Sequence, residues 1–165
     1  MSALRPSFTL FRNLKQGQEA KAVEVGVRYG ENAHAMLQAF PGLKLFLVDT
    51  FTEADCPNAY DRAISLLIGK ADFILEESVS AATRFQDGTL DYVYIDADHR
   101  YESVLKDLKA WWPKVKETGI LAGHDYQIES VKKAVRDFMD NTKTLFVIED
   151  LADAEMVDWL MIRRK

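Results

Sequence analysis

Asp91-Tyr92-Val93-Tyr94-Ile95-Asp96-Ala97-Asp98-His99 is the stretch on which the fold turns. Four apolar or aromatic residues stand in an unbroken row and then give way to two carboxylates and an imidazole. A strand with one wet face alternates apolar and polar residues, whereas an unbroken row belongs to a strand covered on both faces, as in a parallel sheet. Outward from this stretch the pattern recurs at 22–25, 43–48, 73–75 and 119–122. Helical stretches of roughly a dozen residues separate these runs, so strand and helix alternate.

The helix predicted over 100–116 has the clearest period. Tyr101, Val104, Leu105, Leu108, Trp111, Trp112 and Val115 make one apolar stripe, with Glu102, Lys106, Asp107 and Lys109 opposite. Pro113 interrupts or kinks it after Trp112, and the two tryptophans read as core. A further helix is expected over 129–139. The runs at 144–148 and 156–162 are also strand-like, but the seven residues between them are too few for a crossover helix, so they pair antiparallel. The expectation is an α/β protein: a Rossmann-like, doubly wound, seven-stranded, mostly parallel sheet with a reversed last strand. Residues 1–19 form an N-terminal helical segment and 20–165 one domain.

Composition narrows the class. Of the 165 residues, 48% are hydrophobic and 28% charged, which suits a globular chain. Lys+Arg 21 against Asp+Glu 26 leaves a net charge of −5, so no nucleic-acid partner is expected. A single cysteine, Cys56, excludes an intramolecular disulfide framework; it has no visible base partner and receives no chemistry. His34, among alanines, reads as a surface or packing residue. No apolar run approaches the roughly 20 residues of a membrane span, and the opening residues carry no apolar leader. A cytoplasmic location without membrane contact is expected.

Chemistry gathers where the apolar runs end. In Glu24-Val25-Gly26-Val27-Arg28-Tyr29-Gly30, two glycines four apart allow a tight turn and close ligand approach before a helix start that favours polar or anionic groups. The loop is not GxGxxG, because Arg28 stands where the second glycine should be. Asp49 ends the next run, about 20 residues on, where a carboxylate can grip a ribose diol. Asp96, His124 and Asp125 end the fourth and fifth runs, and two hard oxygens with one imidazole suit a divalent cation. Asp98 or His99 is the candidate general base. Each of these residues equally suits a cap, a turn or a polar strand end.

Taken together, Glu24-x-Gly26-x-x-x-Gly30, Asp49, the run from Asp91 to Tyr101, Trp111-Trp112-Pro113 and Gly119-Ile-Leu-Ala-Gly-His124-Asp125-Tyr126 resemble class I S-adenosylmethionine-dependent methyltransferases over about 20–165. The nearest group is the small-molecule O-methyltransferases that include macrolide-sugar and aminocoumarin enzymes. The resemblance implies that Gly26 and Gly30 border the methionine part of S-adenosylmethionine and Glu24 holds its amino group. Asp49 would take the ribose hydroxyls, Glu77 and Ser78 would lie near the adenine, and Asp96 would line the cofactor. It further implies Asp96, His124 and Asp125 as metal ligands and Asp98 as the base. Position 124 is His where metal-dependent members carry a carboxylate, which favours a divalent ion softer than Mg²⁺ or none.

The segment 8–18 is either a short lid helix over the cofactor or a helix packed on the sheet. Acceptor-pocket elements are sparse, so the pocket is open or completed by a partner subunit, and apolar residues at Trp159 or in the N-terminal segment would support a homodimer. The acceptor stays open among sugar, phenol, carboxylate and amine. A nicotinamide-dependent oxidoreductase and a non-catalytic cofactor-binding module are the alternatives.

Overall fold

The computed structural model describes residues 4–15, 18–54, 56–140, 142, 144–150 and 157–163. Its elements follow the expected alternation: α1 (Pro6–Leu14), β1 (Ala20–Val25), α2 (Glu31–Ala39), β2 (Leu43–Val48), α3 (Ala59–Leu67), β3 (Asp72–Ile74), α4 (Ser78–Ala82), β4 (Leu90–Ile95), α5 (Tyr101–Trp111), β5 (Val115–Gly123), α6 (Glu129–Asp140), β6 (Thr144–Asp150) and β7 (Val157–Arg163). The sheet has seven strands in the order β3-β2-β1-β4-β5-β7-β6. The first five are parallel, and β7 runs against both β5 and β6. The connection expected between the last two strands, with Met156, lies outside the described residues.

The unbroken apolar rows arise because both faces of the sheet are covered. Along β4, Val93 and Ile95 face the core shared with α4, α5 and α6, while Tyr92 and Tyr94 face the core shared with α1, α2 and α3. The same alternation sends Val23 and Val25 to one side and Ala20 and Ala22 to the other. Burying an aromatic or aliphatic side chain contributes roughly 1.5–3 kcal/mol, so a strand contributing to two cores has no room for a polar stripe.

Four boundaries move. The helix predicted over 100–116 stops at Trp111; Trp112–Lys114 form a 3-10 turn around Pro113, and Val115 already pairs with Leu90 as the first residue of β5. Val115 fits the helical stripe by spacing, but Pro113 supplies no backbone N–H and the chain turns out of the helix there. The N-terminal helix begins at Pro6 rather than near residue 8 and ends at Leu14, with Pro6 in its first turn, where a missing N–H costs nothing. It lies on the sheet: Phe8 and Phe11 are buried among Tyr92, Phe40 and their neighbours. Ser7 Oγ donates to Asp158 Oδ2 at 2.8 Å and lies 2.8 Å from Tyr92 Oη. Trp159, expected as an exposed dimer residue, is 1% exposed, and its indole N–H donates to the His124 carbonyl. Among the described residues no helix is long and apolar enough to cross a membrane.

Candidate active site

Strand order reverses between β1 and β4: β2 and β3 lie to one side, β5 and β7 to the other. Ligands of open α/β sheets bind in the crevice outside the carboxyl ends at such a reversal. Here the loops after β1 and β4 touch. A Cβ added to Gly26 would lie 2.0 Å from the Asp96 carbonyl oxygen, so only glycine fits. Gly26, Arg28 and Gly30 all have positive φ, as do Phe51 after β2 and Asp125 after β5. A non-glycine residue held there costs on the order of 1–3 kcal/mol, and such strain gathers at functional edges.

Glu24, near the end of β1, is 2% exposed. Its Oε1 accepts the Asn32 side-chain amide at 2.9 Å, but its Oε2 is buried with no partner. Burial raises its pKa to about 8, against the opposing pull of the Asn32 hydrogen bond. A buried carboxylate oxygen left bare is costly unless a ligand supplies a donor. Asp49 Oδ2 accepts the Val27 and Arg28 backbone N–H groups at 2.7 and 3.0 Å, and its Oδ1 accepts that of Phe51 at 2.7 Å. Asp49 therefore shapes the glycine loop, and one lone-pair site on Oδ1 remains for a ligand hydroxyl.

Beyond β3, Glu77 is exposed. The Ser78 hydroxyl is turned inward, accepting the Trp111 indole N–H at 2.9 Å and bonding the buried Asp107. Asp98 lies just before α5: it accepts the Arg100 backbone N–H, the Arg100 guanidinium and the Ser103 hydroxyl. Those bonds, Arg100 foremost, hold its carboxyl far below the usual range, which makes Asp98 a weak base.

Asp96, His124 and Asp125 do come together, each with a ligand atom within 4.8 Å of the others. Parallel pairing of β4 with β5 aligns Ile95 with Gly123, so the residues after each strand meet. His99 joins them, with Nε2 2.6 Å from Asp125 Oδ2, and this hydrogen bond raises the His99 pKa. Burial pushes the Asp125 carboxyl up, but bonds from His124 and His99 outweigh it and hold it low. Asp96, half-buried, is raised by desolvation.

Arg5 was not anticipated. Its Nη1 lies 2.9 Å from His124 Nε2 and its Nη2 3.8 Å from Asp96 Oδ2. Its partners stand some 90 and 119 residues away, and local spacing carries no trace of that. Asn32, also missed, does leave a signal: a polar side chain in the first turn of the helix after the glycine loop.

These features define a Rossmann-like α/β protein with its polar and titratable side chains gathered at the strand reversal. Residues 23–126, well over half of the chain, match the family described as a methyltransferase domain, and the chain belongs to that family, whose methyl donor is S-adenosylmethionine. No curated protein matches the chain. Solved structures share its fold. An S-adenosylmethionine-dependent O-methyltransferase from Thermotoga maritima superposes with a TM-score of 0.73 at 11% identity, over 100% of this chain and 68% of that one. A precorrin-6y C5,15-methyltransferase from Geobacter metallireducens gives 0.71 at 10% identity, over 95% and 87%. An rRNA methylase from Streptococcus thermophilus gives 0.71 at 14% identity, over 100% of both chains.

One feature of this edge fits the donor. The bare Glu24 Oε2 suits an ammonium group, as on the methionine part of S-adenosylmethionine. The metal set fits less well. Both His124 nitrogens and Asp125 Oδ2 are already engaged, by Arg5, by each other and by His99.

Proposed function

We propose that this chain moves the methyl group of S-adenosylmethionine to an oxygen of a small molecule. The observation that carries the donor half is Glu24, buried beneath the glycine loop with one oxygen unpartnered. The acceptor half rests on His99 and Asp125 at the same sheet edge.

When bound, the sulfonium supplies an already activated methyl group, so the protein needs mainly to position the reactants and accept a proton. Glu24 and Asn32 anchor the donor's amino group. Asp49 offers its remaining Oδ1 lone pair to a ribose hydroxyl while holding the loop. Glu77 lies on the adenine side, and Ser78 there contributes through its backbone. Asp96 lines the crevice between donor and acceptor. His99 donates from Nε2 to Asp125, which leaves Nδ1 to take the acceptor hydroxyl proton as the oxygen attacks the methyl carbon and the carbon–sulfur bond breaks. Asp98, bound to Arg100, keeps the start of α5 in place. Assistance by Mg²⁺ or a softer divalent ion at Asp96, His124 and Asp125 would require Arg5 to leave His124. The reading is of a cytoplasmic enzyme acting on small molecules, working as a monomer or a homodimer.

Calorimetry with S-adenosylhomocysteine tests the donor half, with micromolar binding expected; a protein that ignores it at millimolar excess ends the proposal. Radiolabelled methyl transfer to a panel of phenols, sugars, carboxylates and amines tests the acceptor half, with label on oxygen as the expected result. Label found only on amines would overturn it.

A further inference from the structure

We propose that Arg5 is the built-in cation of this site, standing in place of a divalent ion, so that the acceptor chemistry runs without metal. The inference rests on the methyltransferase reading above and concerns how its acceptor half is charged.

Arginine carries only donors. The His124 nitrogen that faces its guanidinium at 2.9 Å, Nε2, must therefore be the lone-pair nitrogen. The ring proton then sits on Nδ1, 3.0 Å from Asp125 Oδ2, which accepts it. Nδ1 is the His124 nitrogen that faces both carboxylates, 4.0 Å from Asp96 Oδ1 and 3.0 Å from Asp125 Oδ2, so an ion seated among the three residues would need its lone pair, hence the other tautomer. That tautomer points an Nε2–H at an arginine N–H. Arg5 and a divalent ion therefore exclude each other, by hydrogen-bond sense as well as by charge. Arg5 also lies beside Asp96, so the negative charge that would hold an ion already faces a guanidinium.

The cation is placed rigidly. Arg5 immediately precedes Pro6, its carbonyl accepts the Thr9 backbone N–H at 2.9 Å, and the helix it starts is pinned through Ser7, Phe8 and Phe11. A guanidinium fixed in this way can stabilise negative charge developing on an acceptor oxygen without reorganising.

The test uses Mn²⁺ as probe, with S-adenosylhomocysteine calorimetry on the same samples. Wild-type protein is expected to show no saturable Mn²⁺ binding by electron paramagnetic resonance, and its His124 nitrogen spectrum to show the Nδ1–H tautomer. Arg5→Ala and Arg5→Gln should tighten Mn²⁺ by roughly a hundredfold, as removal of a full charge about 4 Å away implies, and Asp96→Asn on top should abolish the gain. Wild-type protein that binds one Mn²⁺ through Asp96, or that shows the Nε2–H tautomer, overturns the inference. Arg5 variants that gain no Mn²⁺ overturn it too. If S-adenosylhomocysteine binds in those cases, the methyltransferase reading survives; if it does not, that reading fails independently.

Discussion

Glu24 makes a pH-dependent prediction at the scale of one residue. Its pKa is about 8 in the folded protein and 4.5 for an ordinary glutamate. Between those values the folded state holds a proton that the unfolded state has lost, so the ligand-free protein should lose stability as pH rises, by at most about 1.4 kcal/mol per pH unit. An ammonium ligand needs the ionised carboxylate, so affinity for S-adenosylhomocysteine should climb over the same interval. Glu24→Gln should flatten both curves; calorimetry and urea melts at pH 5, 6.5 and 8 check this, and unchanged slopes would refute the assignment. Asp49→Ala should weaken S-adenosylhomocysteine by roughly tenfold or more, because a ligand hydrogen bond and the acceptor for two loop N–H groups disappear together. At this scale the sequence was legible where a polar residue follows an apolar row: Asp49, Asp96, His99, His124 and Asp125 all follow the carboxyl ends of strands, and Glu24 stands out as a carboxylate inside such a row. It was less legible for competing local bonds. Asp98 reads as a base until Arg100, two residues on, is seen to hold it, and Ser78 reads as a cofactor residue until Trp111 and Asp107 turn it inward.

Among elements, tight approaches between strands and helices set the geometry of the edge. Gly123 ends β5 opposite Trp159, and a Cβ there would lie 2.4 Å from the indole and 2.5 Å from the Ile95 carbonyl. Gly123→Ala should therefore destabilise by about 1–3 kcal/mol through overpacking, and thermal denaturation should show a lowered midpoint. Ser7→Ala removes a buried hydroxyl shared by Tyr92 and Asp158; a loss of about 1–3 kcal/mol in urea unfolding is expected, since both partners are left buried. Strand and helix order was readable because apolar period changes cleanly along the chain. Boundaries were not, as Val115 shows: a helical stripe and a strand start coincide on one residue, and Pro113 alone separates them.

The whole molecule joins distant parts of the chain. Arg5 with His124, Lys15 with Asp91 and Ser7 with Asp158 span separations of 119, 76 and 151 residues. Such pairings leave no periodicity, which is why the sequence alone does not separate a lid from a packed N-terminal helix and carries no sign of Arg5. If Arg5 is the resident cation, EDTA-treated protein should keep its full methyl-transfer rate at this scale of test; a loss restored by Mg²⁺ would mean that the acidic and imidazole groups work with an ion after all.

The bond between Ser7 and Asp158 also bears on biosynthesis. During synthesis Phe8 and Phe11 can meet Phe40 and Tyr92 early, but Ser7 has no Asp158 to bond until β7 has been made, so the first helix docks in two stages.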